Sequence, residues 1–99
     1  MRYNKHFGRE LEAVLAKAAK DPILLHDFLF DLLSPAEYTD LAVRWQIIKQ
    51  LHEGKPQREV AKDLRVSVAT ITRGSKEMMN KNGGFRRILD RYYNKKSRL

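Results

Sequence analysis

Apolar side chains recur at helical spacing along the whole sequence, and this pattern constrains the fold more than any other feature. In the first segment Leu11, Val14 and Ala18 follow the spacing i, i+3, i+7, which places them on one face of a helix. No segment alternates apolar and polar residues as a half-buried strand does. The pattern predicts an all-α fold of six helices, over residues 5–20, 22–33, 35–53, 57–64, 68–80 and 84–94.

Capping signals predict where several of these helices begin and end. Ser34-Pro35-Ala36-Glu37 is typical of a capping box, because serine and glutamate three residues apart can each accept the other's backbone N–H. Asp21-Pro22 combines an N-cap residue with proline at the first helical position. Gly54 suits a helix end that needs a left-handed residue.

With 99 residues the chain is short enough for one domain, and we expect a single domain over residues 1–99. Helix 22–33 is apolar on most sides, so we expect it to be central. Helix 35–53 is apolar on two sides, which indicates a bundle centre or a dimer core, and the short chain favours the dimer. The predicted dimer core comprises the helices of residues 5–53 and 84–94.

Several function classes lack the residues they need. Cysteine is absent, which excludes disulfides and thiolate catalysis. The three histidines show no metal or catalytic spacing, and no paired carboxylates, activated nucleophile or phosphate-binding loop is found, so we expect neither an enzyme nor a metal site. Apolar runs are too short to span a membrane and the first residues do not form a signal peptide, so we expect a cytoplasmic protein.

Positive charge is concentrated in the second half of the chain. Residues 1–33 have a net charge of 0 and residues 34–54 of −1, whereas residues 55–99 carry thirteen basic and four acidic side chains, a net charge of +9. Such asymmetry favours a polyanionic partner, above all nucleic acid. For residues 91–98 alone, a solubilising tail is the simpler explanation.

The basic half contains the layout of a helix-turn-helix over residues 57–80. Ala61 is small where two steeply crossing helices must approach closely. Three apolar residues close the corner between these helices: Leu64, Val66 and Ile71. Ser67 is the predicted N-cap of the second helix, whose positive dipole end then faces phosphate. Arg65 lies where the turn commonly has glycine, so either the turn is irregular or Arg65 accepts a modest strain.

The second helix of this unit presents short side chains outward, as a helix that enters a major groove requires. Its outward residues are Val68, Ala69, Thr70, Thr72 and Arg73. An ordinary helical bundle is the alternative, but spacing, cap and charge together favour DNA binding.

With these residues assembled, the chain resembles the tryptophan repressor family over about residues 33–77. The match consists of Leu33-Ser34-Pro35, Arg44, Leu51 with Gly54, Gln57-Arg58-Glu59, and the highly specific heptapeptide Ala69-Thr70-Ile71-Thr72-Arg73-Gly74-Ser75. The resemblance implies a six-helix, intertwined homodimer. It also implies that the dimer binds double-stranded operator DNA when the amino acid L-tryptophan is bound as co-repressor.

The resemblance further implies which residues form the two sites. Arg44 and Arg73 would sandwich the indole ring, since guanidinium planes stack on aromatic faces. The other implied ligand contacts are Ser34 with Arg73 for the carboxylate, backbone carbonyls near Asp31 and Leu33 for the ammonium, and Gly74 as space for the ring. For DNA it implies a base contact from Arg58, with Lys62 and the outward residues of the second helix beside it.

The family pattern is not matched everywhere, and alternatives remain open. Glu77 stands where a serine is usual, and its carboxylate either binds the ligand ammonium or pairs with Arg73 and blocks the site. Trp45 and a loop shortened before Gln57 also depart from the pattern. Arg44 has a further possible partner in Asp40, four residues earlier. The alternative functions are a DNA-binding protein with another effector or none, and a module that binds an acidic protein.

Overall fold

The structure is a computed structural model that describes residues 4–93. Within these residues six α-helices and no strand are present, which confirms the predicted all-α class. The helices are α1 (Lys5–Ala18), α2 (Pro22–Leu32), α3 (Pro35–His52), α4 (Gln57–Leu64), α5 (Val68–Met78) and α6 (Gly84–Tyr92). The chain divides between Thr39 and Asp40, inside α3, into two compact units. The single domain expected over residues 1–99 stays a prediction.

Most helices end one or two residues before the predicted boundary. After α1, the N–H groups of Lys20 and Asp21 donate to Lys17 and Ala18, a tighter turn that frees Asp21 to cap α2. The end of α5 tightens in the same way, through the N–H of Asn80. Residue 94, the predicted end of α6, lies outside the described residues.

The first unit has little core of its own. Helices α1 and α2 pack against each other, and Ala18 is the one buried residue among the described part of this unit. Helix α2 buries none of its residues, so the single chain does not place it at the centre as expected. Large apolar side chains such as Phe7 and Ile23 are instead 70% and 76% exposed.

The predicted capping box at the start of α3 is confirmed. The Ser34 N–H donates to Glu37 Oε1 at 2.8 Å, and the Glu37 N–H donates to Ser34 Oγ at 3.1 Å. Both bonds satisfy donors that have no partner within the helix. The bond from the Ser34 backbone is the main cause that lowers the pKa of Glu37. Asp21 caps α2 through its side chain, again as predicted.

The second unit contains a continuous apolar core. It is formed by Ile47, Ile48, Val60, Ala61, Ile71 and Leu89. These residues come from α3, α4, α5 and α6, so the core holds the two helices of residues 57–78 against the second part of α3. Burial of this kind is the main contribution to the stability of so small a unit.

Helix α3 ends in a Schellman motif. Gly54 has a φ of +95°, which glycine adopts at no steric cost, and its N–H donates to the carbonyl of Leu51. The next N–H, of Lys55, donates to the carbonyl of Gln50 at 3.2 Å. Pro56 then adopts an extended conformation and α4 begins. The predicted role of Gly54 is confirmed.

Candidate DNA-binding and ligand-binding sites

The turn between α4 and α5 is a second Schellman motif, and it contains a non-glycine residue in the left-handed region. Arg65 has φ 58° and ψ 45°, so the alternative in which this arginine accepts strain is the one observed. The N–H groups of Arg65 and Val66 donate to the carbonyls of Lys62 and Ala61. Val66 then packs on the core.

Helix packing at this corner follows the sequence prediction. Ala61 is buried, as a close approach of α4 to α5 requires, and Ile71 is completely buried. Leu64 packs against the same core from the end of α4. The two helices and the turn between them therefore form a helix-turn-helix unit.

Ser67 is the N-cap of α5, and its side chain accepts the N–H of Thr70 at 3.1 Å. The hydroxyl groups of Ser67 and Thr70 are also 2.8 Å apart and hydrogen-bonded. The remaining N–H groups of the first turn, together with the helix dipole, leave a partial positive charge at this end of α5.

The structure exposes all the residues predicted to contact DNA. On α4 these are Arg58 and Lys62, and on α5 they are Val68, Ala69, Thr70, Thr72 and Arg73. Val68 is an apolar side chain that is 51% exposed on a helix with a well-buried inner face. We call this set the reading surface. It is exposed, cationic and made mostly of short side chains.

Gln57 contacts this surface, and sequence reasoning did not assign it a role. The hydroxyl of Thr72 donates to Gln57 Oε1 at 3.4 Å and to the carbonyl of Val68 at 3.0 Å. This contact joins Gln57, the first residue of α4, to the outer face of α5. The signal available in the sequence was a polar side chain at the first position of α4, which is too common to be specific.

A cavity of about 520 Å³ lies between α3 and α5. Its walls are Asp40, Val43, Arg44, Ile47, Ile48, Val66, Thr70, Arg73, Gly74 and Phe85. The volume is within the range of small-molecule sites. Three predicted ligand contacts, Arg44, Arg73 and Gly74, are therefore brought together.

Two arginines and apolar walls make this cavity suitable for an aromatic anion. Among residues 4–93, Arg44 forms no ion pair with Asp40 and Arg73 forms none with Glu77, although sequence spacing allows both pairs. The guanidinium groups therefore remain available for a carboxylate or an aromatic ring.

Gly74 brings α5 unusually close to α3. A Cβ atom at this position would lie 3.1 Å from Ile47 Cγ2 and 3.4 Å from Ile48 Cδ1. A larger residue would move α5 outward or fill the wall of the cavity. Glycine therefore serves both helix packing and the shape of the cavity.

The other predicted ligand residues are not among the walls of this cavity. Leu33 and Ser34 belong to the first unit, where Leu33 is the C-cap of α2 and the Ser34 hydroxyl accepts the N–H of Glu37. Glu77 and Trp45 line a second cavity of about 830 Å³ that contains neither Arg44 nor Arg73.

This second cavity has four aromatic side chains among its walls. Besides Glu77, its walls are Trp45, Asn80, Gly83, Gly84, Phe85, Ile88, Tyr92 and Tyr93. Trp45 and Tyr93 pack edge to face with ring centres 5.5 Å apart. Tyr92 is 67% exposed. The apolar wall continues onto the exposed side of α6.

The described part of the chain has neither a metal-binding cluster nor a membrane-spanning helix. Residues 4–93 contain no group of three or more histidine, aspartate or glutamate side chains arranged to hold a metal ion. No helix among them is long and apolar enough to cross a membrane.

Comparison with known proteins gives a consistent result. The family model described as Trp repressor protein matches residues 9–93. A Trp operon repressor homolog of Chlamydia trachomatis serovar L2 is 33% identical over 92 residues, which are 92% of this chain and 98% of the relative. A Trp operon repressor homolog of Mannheimia succiniciproducens is 50% identical over 50 residues, half of each chain. A Trp operon repressor homolog of Haemophilus influenzae is 40% identical over 62 residues, which are 62% of this chain and 61% of the relative.

Proposed function

Because the chain belongs to the Trp repressor family, we propose that it is a homodimer that binds operator DNA when L-tryptophan is bound as co-repressor. The coarser conclusion, that the chain is a transcriptional repressor and not an enzyme, follows from the family itself. A repressor acts where the chromosome lies, so the proposal also places the protein in the cytoplasm.

One observation carries this proposal: α5 contributes to both sites. Its outer face presents the exposed side chains of Val68, Ala69 and Thr72, while Thr70, Arg73 and Gly74 line the cavity against α3. A ligand that fills the cavity contacts the same helix that enters the groove. Its binding free energy is therefore available to hold α5 in one orientation.

The cavity has the chemistry that L-tryptophan requires. Two guanidinium groups, of Arg44 and Arg73, can stack on the indole and bind the carboxylate, while Ile47 and Val66 supply apolar walls. Leu33 and Ser34 are proposed to contribute a carbonyl and a hydroxyl group to ligand binding.

The reading surface has the chemistry that duplex DNA requires. Arg58 is proposed to reach a base edge, because a guanidinium can bond two acceptors of guanine. Lys62 is proposed to contact a phosphate. The short side chains of Val68, Ala69 and Thr72 let α5 approach the base pairs closely, and the capped N-terminus of α5 faces the backbone.

Exposed apolar surface supports the homodimer. Apolar side chains that stay exposed in the single chain occur in α1, α2, α3 and α6: they include Phe7, Leu11, Ile23, Leu24, Phe30, Leu41, Ile88 and Tyr92. Two-sided apolar helices of this kind require a cover, and a second copy supplies it by symmetry.

The test is selection of duplexes from a random-sequence pool, followed by affinity measurements with and without L-tryptophan. We expect a recovered sequence with two-fold symmetry and half-sites about one helical turn apart, bound more tightly with the ligand. Sequence-specific binding that ignores L-tryptophan would select a repressor with another effector or none. Affinity for all duplexes alike would overturn specific DNA binding.

A further inference from the structure

Lys55 connects α3 to α4 across the loop that joins them. Its Nζ donates to Gln50 Oε1 on α3 at 3.3 Å and forms an ion pair with the carboxylate of Asp63 on α4. Its backbone N–H is also fixed, since it donates to the carbonyl of Gln50. Gln50 in turn donates to Gln46 Oε1 at 3.0 Å, one turn earlier on α3. A polar network thus runs from the body of α3 through the loop to α4.

This network differs from the other ion pairs of residues 4–93. The pairs Lys49–Glu53 and Arg86–Asp90 are i, i+4 contacts at neighbouring turns of one segment, and neither joins α3 to the helix-turn-helix. Lys55–Asp63 joins the end of α3 to the last turn of α4. The Asp63 carboxylate, as hydrogen-bond acceptor, raises the pKa of Lys55 above its ordinary value.

The network and the cavity connect the α3 region to different helices of the helix-turn-helix. Arg44, in the middle of α3, lines the cavity that α5 closes, and Lys55, in the loop after α3, holds α4. A ligand in the cavity and the bridge at the loop both favour the conformation in which α4 and α5 are docked on α3. When one of these contacts already holds this conformation, less conformational entropy is lost as the other contact forms.

From this arrangement we infer that Lys55, held by Gln50 and Asp63, is a positioning residue that docks the helix-turn-helix on α3 before any ligand binds and so sets the level of DNA binding without L-tryptophan. The inference rests on the proposed function, because it concerns the regulation of the same reading surface. Removal of the bridge lowers the affinity of the ligand-free protein more than that of the liganded protein. The enhancement produced by L-tryptophan therefore increases.

The test compares Lys55→Met and Asp63→Asn with Lys49→Met. Lys49 is the matched control, because its side chain is 29% exposed, like that of Lys55, and its ion pair does not reach α4. Affinity for the selected duplex is measured with and without L-tryptophan. We expect both bridge variants to lose about two- to fivefold in ligand-free affinity relative to the control, the range of a partly exposed ion pair, with a smaller loss when ligand is present.

Asp63→Asn separates positioning from a simple phosphate contact. Removal of a negative charge from a DNA-binding surface raises affinity for all duplexes if charge alone matters. Positioning predicts the opposite sign for ligand-free binding. An increase in affinity for Asp63→Asn, or an unchanged ligand enhancement in Lys55→Met, overturns the inference.

A readout without DNA keeps this inference distinct from the proposed function. Amide hydrogen exchange over Gln57–Leu64 is expected to be faster in both bridge variants than in Lys49→Met, and slow again when L-tryptophan is added. Equal exchange in all three variants contradicts the inference even if DNA binding is confirmed. If no specific duplex is recovered, the proposed function is contradicted. The hydrogen-exchange result then still tests whether Lys55 positions α4.

Discussion

Replacement of Gly74 by alanine tests the close approach of α5 to α3. The new Cβ would lie 3.1 Å from Ile47 Cγ2 and 3.4 Å from Ile48 Cδ1. Both isoleucines are 3% exposed or less and are packed in the core with Val60, Ile71 and Leu89, so they have little room to yield. We therefore expect α5 to shift away from α3.

The magnitude is the difference between two opposing effects. Alanine in place of glycine favours a helix interior by about 1 kcal/mol. One extra carbon in a well-packed core costs about 1–3 kcal/mol. Gly74→Ala is therefore expected to lower the free energy of unfolding by about 1 kcal/mol, and to weaken L-tryptophan binding because the new methyl group lies at the cavity wall.

The assay is urea unfolding followed by circular dichroism, at one fixed protein concentration because a dimer's stability depends on it. Gly84→Ala is the matched control, since nothing lies within 4 Å of a Cβ added at the first residue of α6. The control should be neutral or slightly stabilising. If Gly74→Ala is as stable as the control and binds L-tryptophan normally, the argument from close packing is wrong.

Three further predictions concern the turn, the capping box and the reading surface. Arg65 has a left-handed φ of 58°, which glycine adopts without strain, so Arg65→Gly should raise the free energy of unfolding by about 0.5–1 kcal/mol in urea titrations. A loss of stability would mean that contacts of the arginine side chain stabilise the protein by more than the backbone strain destabilises it. The bond from Ser34 lowers the pKa of Glu37 below its ordinary value of 4.5, so this contribution to stability is complete above pH 4.5 and is lost as the pH falls through the lowered value. Glu37→Gln should therefore show a shallower loss of thermal stability on acidification than the wild type, and identical pH profiles would contradict the capping assignment. Arg58→Ala should cost about 1–3 kcal/mol of DNA-binding free energy and reduce the base preference at one operator position, whereas Lys62→Ala should lower the affinity for all duplexes alike. If both variants lose the same affinity on every duplex, the reading surface has been assigned to the wrong residues.

Local signals in the sequence predicted the elements well. Caps and turn residues act through neighbours a few positions away, so Ser34, Asp21, Gly54 and Ser67 could be assigned without knowledge of the fold. The corner of the helix-turn-helix could also be predicted from the sequence, because the spacing of its apolar residues follows from helix geometry alone.

Contacts between residues far apart in the sequence were harder to predict. The apolar surface of α2 predicted a central helix, yet in a single chain it stays exposed, because periodicity reports which face is apolar and not which molecule covers it. Glu77 was expected at the ligand cavity, but it lies one helical turn further along α5 than Arg73 and lines the aromatic cavity beside Trp45. The bridge from Lys55 to Asp63 was not foreseen, since a lysine in a loop gives no sign of its partner.

The measurement that most directly tests the coupling through α5 is L-tryptophan binding by calorimetry, to the free protein and to the protein saturated with its selected duplex. Linkage requires that DNA raise the affinity for the ligand by the same factor by which the ligand raises the affinity for DNA. We predict a matching factor, corresponding to about 1–3 kcal/mol, and its disappearance in Arg73→Ala. Equal ligand affinity in the free and DNA-bound protein, or no heat of binding in either, would contradict the account.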